Sequence, residues 1–276
     1  MSCAKPVLTA HLFPGLLQEL IDVLETIAPE EWDLPTPCPG WSVHDLAAHI
    51  LGDEAGQLSM GRDDHHVSLI DANDWAGLVT GLNDLNQQWV TAMRRLSPRL
   101  MIDLLKSTGE QVNRYLQSLD PHSMGPVVSW ASPDPAPMWL HIAREYTERW
   151  HHQQQIREAL GRPLLTGPDW FGPVLATFVH GLPRAYSGVG AAIGTSVRVT
   201  IAGSSGGTWF VARADSKWLL CEDEPRKTLA HLTIGEIDAW KLFTKSITRH
   251  VVESKIAVEG DTQLALKALD TVSIVA

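Results

Sequence analysis

Apolar residues recur every three or four positions from about Leu12 to Ile27, with Leu16, Leu17, Leu20, Ile21, Val23 and Leu24 on one broad face, which predicts a first amphipathic helix. The stretch Asp33-Leu-Pro-Thr-Pro-Cys-Pro-Gly40 alternates prolines with other residues. Each proline removes a backbone donor and restricts its predecessor, so this segment is an extended loop. Ser42 with Asp45 three residues on is close to a capping box and predicts a second helix running to about Met60. Gly61 to Asp71 is charged and reads as a loop. Helical periodicity returns from Asp74 to about Leu96 and from Pro98 to Leu119, with Ser97-Pro98 as a kink or a break. Residues 120–137, rich in Pro, Ser and Gly, form a long connection. A further helix spans about Met138 to Leu160 and stops at Gly161, with Pro163 just beyond.

After a helical stretch from Asp169 to about Tyr186 the pattern changes to strict alternation. Ser196 to Ile201, Thr208 to Arg213 and Lys217 to Cys221 predict an antiparallel meander with Gly- and Ser-containing turns. A helix from about Gly235 to Thr244, a strand Lys255 to Val258, a turn at Gly260-Asp261, a helix to Leu269 and a last strand Val272 to Val275 complete an α+β unit. The expected fold class is mixed and multidomain: an up-down four-helix bundle over residues 1–165, then a smaller α+β domain over 166–276 with an antiparallel-rich sheet.

Composition narrows the partners. A chain of 276 residues is long for one core and ordinary for two. A formal net charge of −10 repels phosphate backbones and anionic lipid, and no basic patch offsets it, so neither nucleic acid nor a membrane surface is an expected partner. Cys3, Cys38 and Cys221 are too scattered for a disulfide framework or a cysteine zinc site, which suggests a reducing compartment. The N-terminal residues do not read as a secretory signal, and no apolar run approaches the roughly 18 residues of a membrane span. A cytoplasmic location is expected. The eleven tryptophans are read chiefly as large core fillers with one wet edge.

The helix Met138 to Leu160 places His141, Glu145, Glu148 and His152 at spacings of four, three and four, within one narrow stripe. Burying two carboxylates and two imidazoles there without partners costs several kcal/mol, about 1–3 for each group. A divalent metal ion neutralises them, and the four-residue spacing lets Glu148 and His152 reach one ion from adjacent turns. A third ligand has to come from another helix, and His49, within an Ala-Ala-His-Ile-Leu run, is the best placed. His44 lies about 140° around the same helix and is a poor alternative. Spacing alone also fits a hydrogen-bonded core histidine or an ordinary Glu-His helix pair. Cys38 is read as packing in its loop in preference to acting as a nucleophile.

The segment Trp32-Asp-Leu-Pro-Thr-Pro-Cys-Pro-Gly-Trp-Ser-Val-His-Asp-Leu-Ala-Ala-His49 resembles the loop and second helix of the mycothiol-dependent maleylpyruvate isomerase family, a branch of the DinB-like metal-binding bundles. Glu148-Arg-Trp-His-His152 is similar to that family's Glu-x-x-x-His segment, and the C-terminal half resembles its sterol-carrier-like domain at Ala239-Trp-Lys-Leu-Phe-Thr-Lys245 and Val258-Glu-Gly-Asp261. The resemblance implies metal ligands at His49, Glu148 and His152, with zinc expected and nickel an alternative, and mycothiol or a similar low-molecular-weight thiol as cofactor. Two positions depart from the family pattern: Gln155 stands where an Asp is frequent, and Lys245-Ser246 where a Gly-Arg pair is frequent.

The function implied is addition or transfer of a thiol to a small electrophilic substrate, as an isomerase or a thiol S-transferase. Lys245 and Arg249 are the expected catalytic cations that meet the anionic substrate. The partners are then a small-molecule thiol and an electrophile, with the protein a monomer or homodimer. A non-catalytic metal-binding or regulatory protein and a metal-dependent hydrolase are the alternatives, since fold does not fix chemistry.

Overall fold

The computed structural model describes residues 4–274. Cys3, and Val275 of the expected last strand, lie outside them. The chain divides into two compact units, one of residues 9–120 and 145–165, the other of residues 4–8, 121–144 and 166–274. No helix among the described residues is long and apolar enough to cross a membrane.

The first unit is helical. It contains α1 (Phe13–Thr26), α2 (Val43–Gly56), α3 (Trp75–Met93), α4 (Pro98–Ser118) and the part of α5 (Met138–Ala159) from residue 145 onward. The start of α2 follows the sequence expectation. Ser42 Oγ accepts from the Asp45 backbone N–H, Asp45 Oδ2 accepts from the Ser42 N–H, and both Asp45 oxygens accept from Arg94. At its other end α2 continues into a wider-wound turn, Gln57–Arg62, so the loop expected from Gly61 begins after residue 62. Val43, Leu46, Ala47, Ala48, Ile50 and Leu51 are all buried, which makes α2 the central helix, packed against α3 and α4. Leu20, Leu24, Trp32, Met101, Leu105 and Ile156 close the core around it. Gly161, at φ +61°, ends α5 in a conformation that glycine adopts without strain.

The second unit is built on a five-stranded sheet of β3 (Thr195–Ala202), β4 (Gly207–Arg213), β5 (Trp218–Cys221), β6 (Lys227–Gly235) and β7 (Ala257–Gly260), ordered β5-β4-β3-β6-β7. Strand β6 corrects the sequence reading, which passed over residues 227–234. It is the longest strand and lies parallel to β3, so the sheet is not a simple meander. Its alternation, with Ala230, Leu232 and Ile234 buried, was present in the sequence but runs straight into α8 (Glu236–Phe243) without a turn signal. A short α9 (Arg249–Glu253) precedes β7, and α10 (Thr262–Leu266) packs on β6 and β7. The connection over 120–137 contains an unexpected hairpin of β1 (Met124–Val127) and β2 (Pro135–Pro137).

The helical stretch after Asp169 is split into α6 (Pro168–Phe178) and α7 (Leu182–Ala185) by a tighter turn. Residues 272–274 form no strand. Ser273 instead donates its hydroxyl to the Phe178 carbonyl and its N–H to the Phe243 carbonyl, tying the chain end to α6 and α8.

Candidate functional site

Within the helical unit, α2 and α5 bring two imidazoles face to edge. His49 Nε2 lies 3.1 Å from His152 Nε2, and the ring centroids are 4.5 Å apart. Glu148 Oε2 is 3.7 Å from His152 Nε2, one turn back on α5. Asp53 Oδ2 is 3.6 Å from His49 Nε2, one turn on along α2. His49, Glu148 and His152 are therefore together, and Asp53 is a neighbouring carboxylate that the sequence reading did not single out. Among the described residues, no three His, Cys, Asp or Glu side chains are drawn in tightly enough to form a ready-made cage for a metal ion.

The protonation of the pair follows from its surroundings. His152 Nδ1 donates to Gln155 Oε1 at 2.8 Å, which leaves the lone pair of His152 on Nε2, facing His49. Burial pushes the His49 pKa down to about 4. Burial and the neighbouring His49 lower that of His152 in the same direction. Both rings are thus neutral near pH 7, the state in which imidazole ligates metals. Two nitrogens bound tetrahedrally to zinc at about 2.0–2.1 Å sit roughly 3.4 Å apart, so the observed separation of 3.1 Å needs to open only slightly. With Glu148 beside them, the donor set is chemically suited to a divalent ion.

The proline-containing loop supplies a cover. Thr36 N–H donates to the Trp41 carbonyl, Gly40 adopts φ +82°, and the returning chain sets the Trp41 ring 5.0 Å from the His49 ring. Trp41 Nε1 donates to Gln87 Oε1 on α3, fixing the indole in that position. Cys38, in the same loop, packs against the core, and burial raises its thiol pKa, the opposite of an activated nucleophile.

The stripe on α5 does not act as one cluster. Glu145 accepts from Gln57 Nε2 at 2.6 Å, and His141 belongs to the other unit, its pKa pushed down to about 4 by burial and by Arg144. His44 faces the Leu96 carbonyl at 3.0 Å and packs on Trp32. His65 and His66 lie in the loop after residue 62.

Lys245 and Arg249 both lie in the sheet unit. Lys245 follows α8 at φ +55°, a left-handed conformation that glycine adopts without strain and a residue with a side chain adopts at a cost. Arg249 is ion-paired to Glu253 and Asp270 at 2.7 and 2.8 Å.

Comparison with known proteins bears on the same helices. The family model described as the mycothiol maleylpyruvate isomerase N-terminal domain matches residues 13–157. The chain is also similar to a crystal structure of the mycothiol-dependent maleylpyruvate isomerase, with a TM-score of 0.53 and 10% identity over 84% of this chain and 86% of that one. A histidine-to-alanine mutant of that enzyme gives a TM-score of 0.54 and 10% identity over 86% and 88%. At this identity the likeness is one of fold. No curated protein matches the chain.

Proposed function

Since the chain belongs to the mycothiol maleylpyruvate isomerase family, we propose that it is a metal-assisted enzyme that uses a mycothiol-type thiol on a small electrophilic substrate. The observation that carries this reading is the 3.1 Å approach of His49 Nε2 to His152 Nε2 beside Glu148. In this reading those three side chains hold one divalent ion, zinc first and nickel as the alternative. When bound, such an ion lowers the pKa of a thiol and screens negative charge developing on a substrate.

The chain's own residues have separable tasks. His49 and His152 supply neutral nitrogen donors because burial suppresses their protonation. Glu148 supplies anionic oxygen. Gln155 orients the His152 ring by accepting a hydrogen bond from its Nδ1–H, the part a carboxylate plays where Asp is present. Trp41 limits water at the His49 side, so that electrostatic interactions there are less screened. Lys245 and Arg249 are the cations assigned to an anionic substrate or thiol group, and Arg249 would have to exchange its ion pairs with Glu253 and Asp270 to take that part. Reversible thiol addition to an activated double bond gives isomerisation, and displacement of a leaving group gives transfer.

The test combines metal analysis of protein purified without a histidine tag with turnover of a maleyl-type acceptor. Turnover is expected to require a low-molecular-weight thiol and to vanish on chelation and in His49→Ala. Turnover without thiol would move the assignment to a hydrolase, and the lack of a stoichiometric ion would remove the metal.

A further inference from the structure

A second polar ladder runs beside the first. One position on from His49 and Asp53, α2 carries Ile50 and Glu54; one position on from Glu148 and His152, α5 carries Arg149 and Gln153. Each pair is turned about 100° around its helix from the candidate site and into the core. Glu54 and Gln153 are 1% exposed and Arg149 is 9% exposed. With Phe13, Leu16, Leu17, Leu20 and Ile50 they line a cavity of about 10 Å³.

Four polar atoms on this wall have no hydrogen-bond partner: Arg149 Nε and Nη2, and both ends of the Gln153 amide. Leaving such groups buried and unmade costs about 1–3 kcal/mol each, more for a charged one. The cation gains something from the Phe13 ring, 5.3 Å from its centre, but a ring face does not replace two N–H acceptors. Glu54 is not a full counter-ion either. Its Oε2 contacts the Thr108 hydroxyl, and that hydroxyl also serves the Leu104 carbonyl at 2.8 Å. Thr108 has one proton for two acceptors. When Glu54 is protonated, its own O–H makes the first contact and frees the hydroxyl proton for Leu104.

The cavity is the size of one water molecule, and a buried water needs two to four polar partners. Water accepts from a guanidinium edge and donates to an amide oxygen, which an apolar filler cannot do. A small anion suits Arg149 but sits against the Glu54 carboxyl. We propose that the cavity between α1, α2 and α5 is an internal water site, in which one ordered water accepts from Arg149 Nε and Nη2 and donates to Gln153 Oε1. That water satisfies three of the four unpartnered atoms and hydrates a guanidinium whose charge is felt by Glu54 on α2. The proposal does not depend on the metal reading.

A crystal structure of the full chain at high resolution tests it directly. The expected result is one isolated water density within hydrogen-bond distance of Arg149 and Gln153. Gln153→Leu should fill the cavity, expel the water and lower the melting temperature by several degrees, because Arg149 then lacks a partner. Adding Arg149→Met to that variant should recover part of the loss. A dry cavity, a direct Arg149 to Gln153 hydrogen bond, a halide-like density, or a Gln153→Leu protein as stable as the parent would each overturn the proposal.

Discussion

His152 is tied to Gln155 by a 2.8 Å hydrogen bond from Nδ1 to Oε1, and this bond decides which ring nitrogen is offered to His49. Removing the acceptor lets the tautomers exchange and the ring rotate. Gln155→Leu should therefore weaken divalent-metal affinity about 10–100-fold, as loss of such a supporting bond typically does, while Gln155→Asp should preserve or strengthen it. Competition titration with a chromophoric chelator measures both, and equal affinities for the two variants would show that the bond has no role.

Glu54 gives stability a pH dependence. Burial raises its pKa from 4.5 to about 7, against opposing pulls from Arg149 and Thr108. A carboxyl whose folded pKa is raised binds its proton more tightly when folded, so its contribution is fully present below about pH 4.5 and is lost as pH rises through 7. The full effect is on the order of 3 kcal/mol at most. Denaturant unfolding between pH 5 and 8 should show stability falling with pH, and Glu54→Gln should flatten that slope. An unchanged slope in the variant would assign it to other groups.

Asp45 has the opposite sign. Burial works against its ionisation, but hydrogen bonds from Arg94 and the Ser42 N–H outweigh this and hold its pKa below the ordinary carboxylate value. Its contribution is present above the ordinary pKa and lost as pH falls through the folded one. Asp45→Ala should cost about 1–2 kcal/mol near neutral pH through loss of the carboxylate's hydrogen bonds from the Ser42 N–H and Arg94, and the deficit should shrink in acid. Urea unfolding at pH 7 and pH 3 provides the comparison.

Lys245 is held at φ +55°, which costs a residue with a side chain about 1 kcal/mol relative to glycine. Lys245→Gly should raise the melting temperature by about one to three degrees. If the ammonium group meets the substrate, the same variant should lose turnover despite its greater stability. A more stable protein with undiminished turnover would take Lys245 out of the chemistry.

Several features of this molecule were determined by sequence alone because they are local. Ser42 and Asp45 set the start of α2, the prolines between Asp33 and Gly40 forbade a helix there, and the four-residue spacing of Glu148 and His152 put both on one face of α5. His49 as their companion was legible because it sits in an apolar helical run beside a recognisable loop. Tertiary structure alone decided the meeting of two nitrogens from residues 103 apart, the removal of Glu145 from the stripe by Gln57, and the cover from Trp41. It also decided that β6 enters the sheet parallel to β3, a pairing of distant segments that alternation within one strand does not specify. Periodicity reports which face of an element is buried; what that face meets depends on the packing of partners far away along the chain.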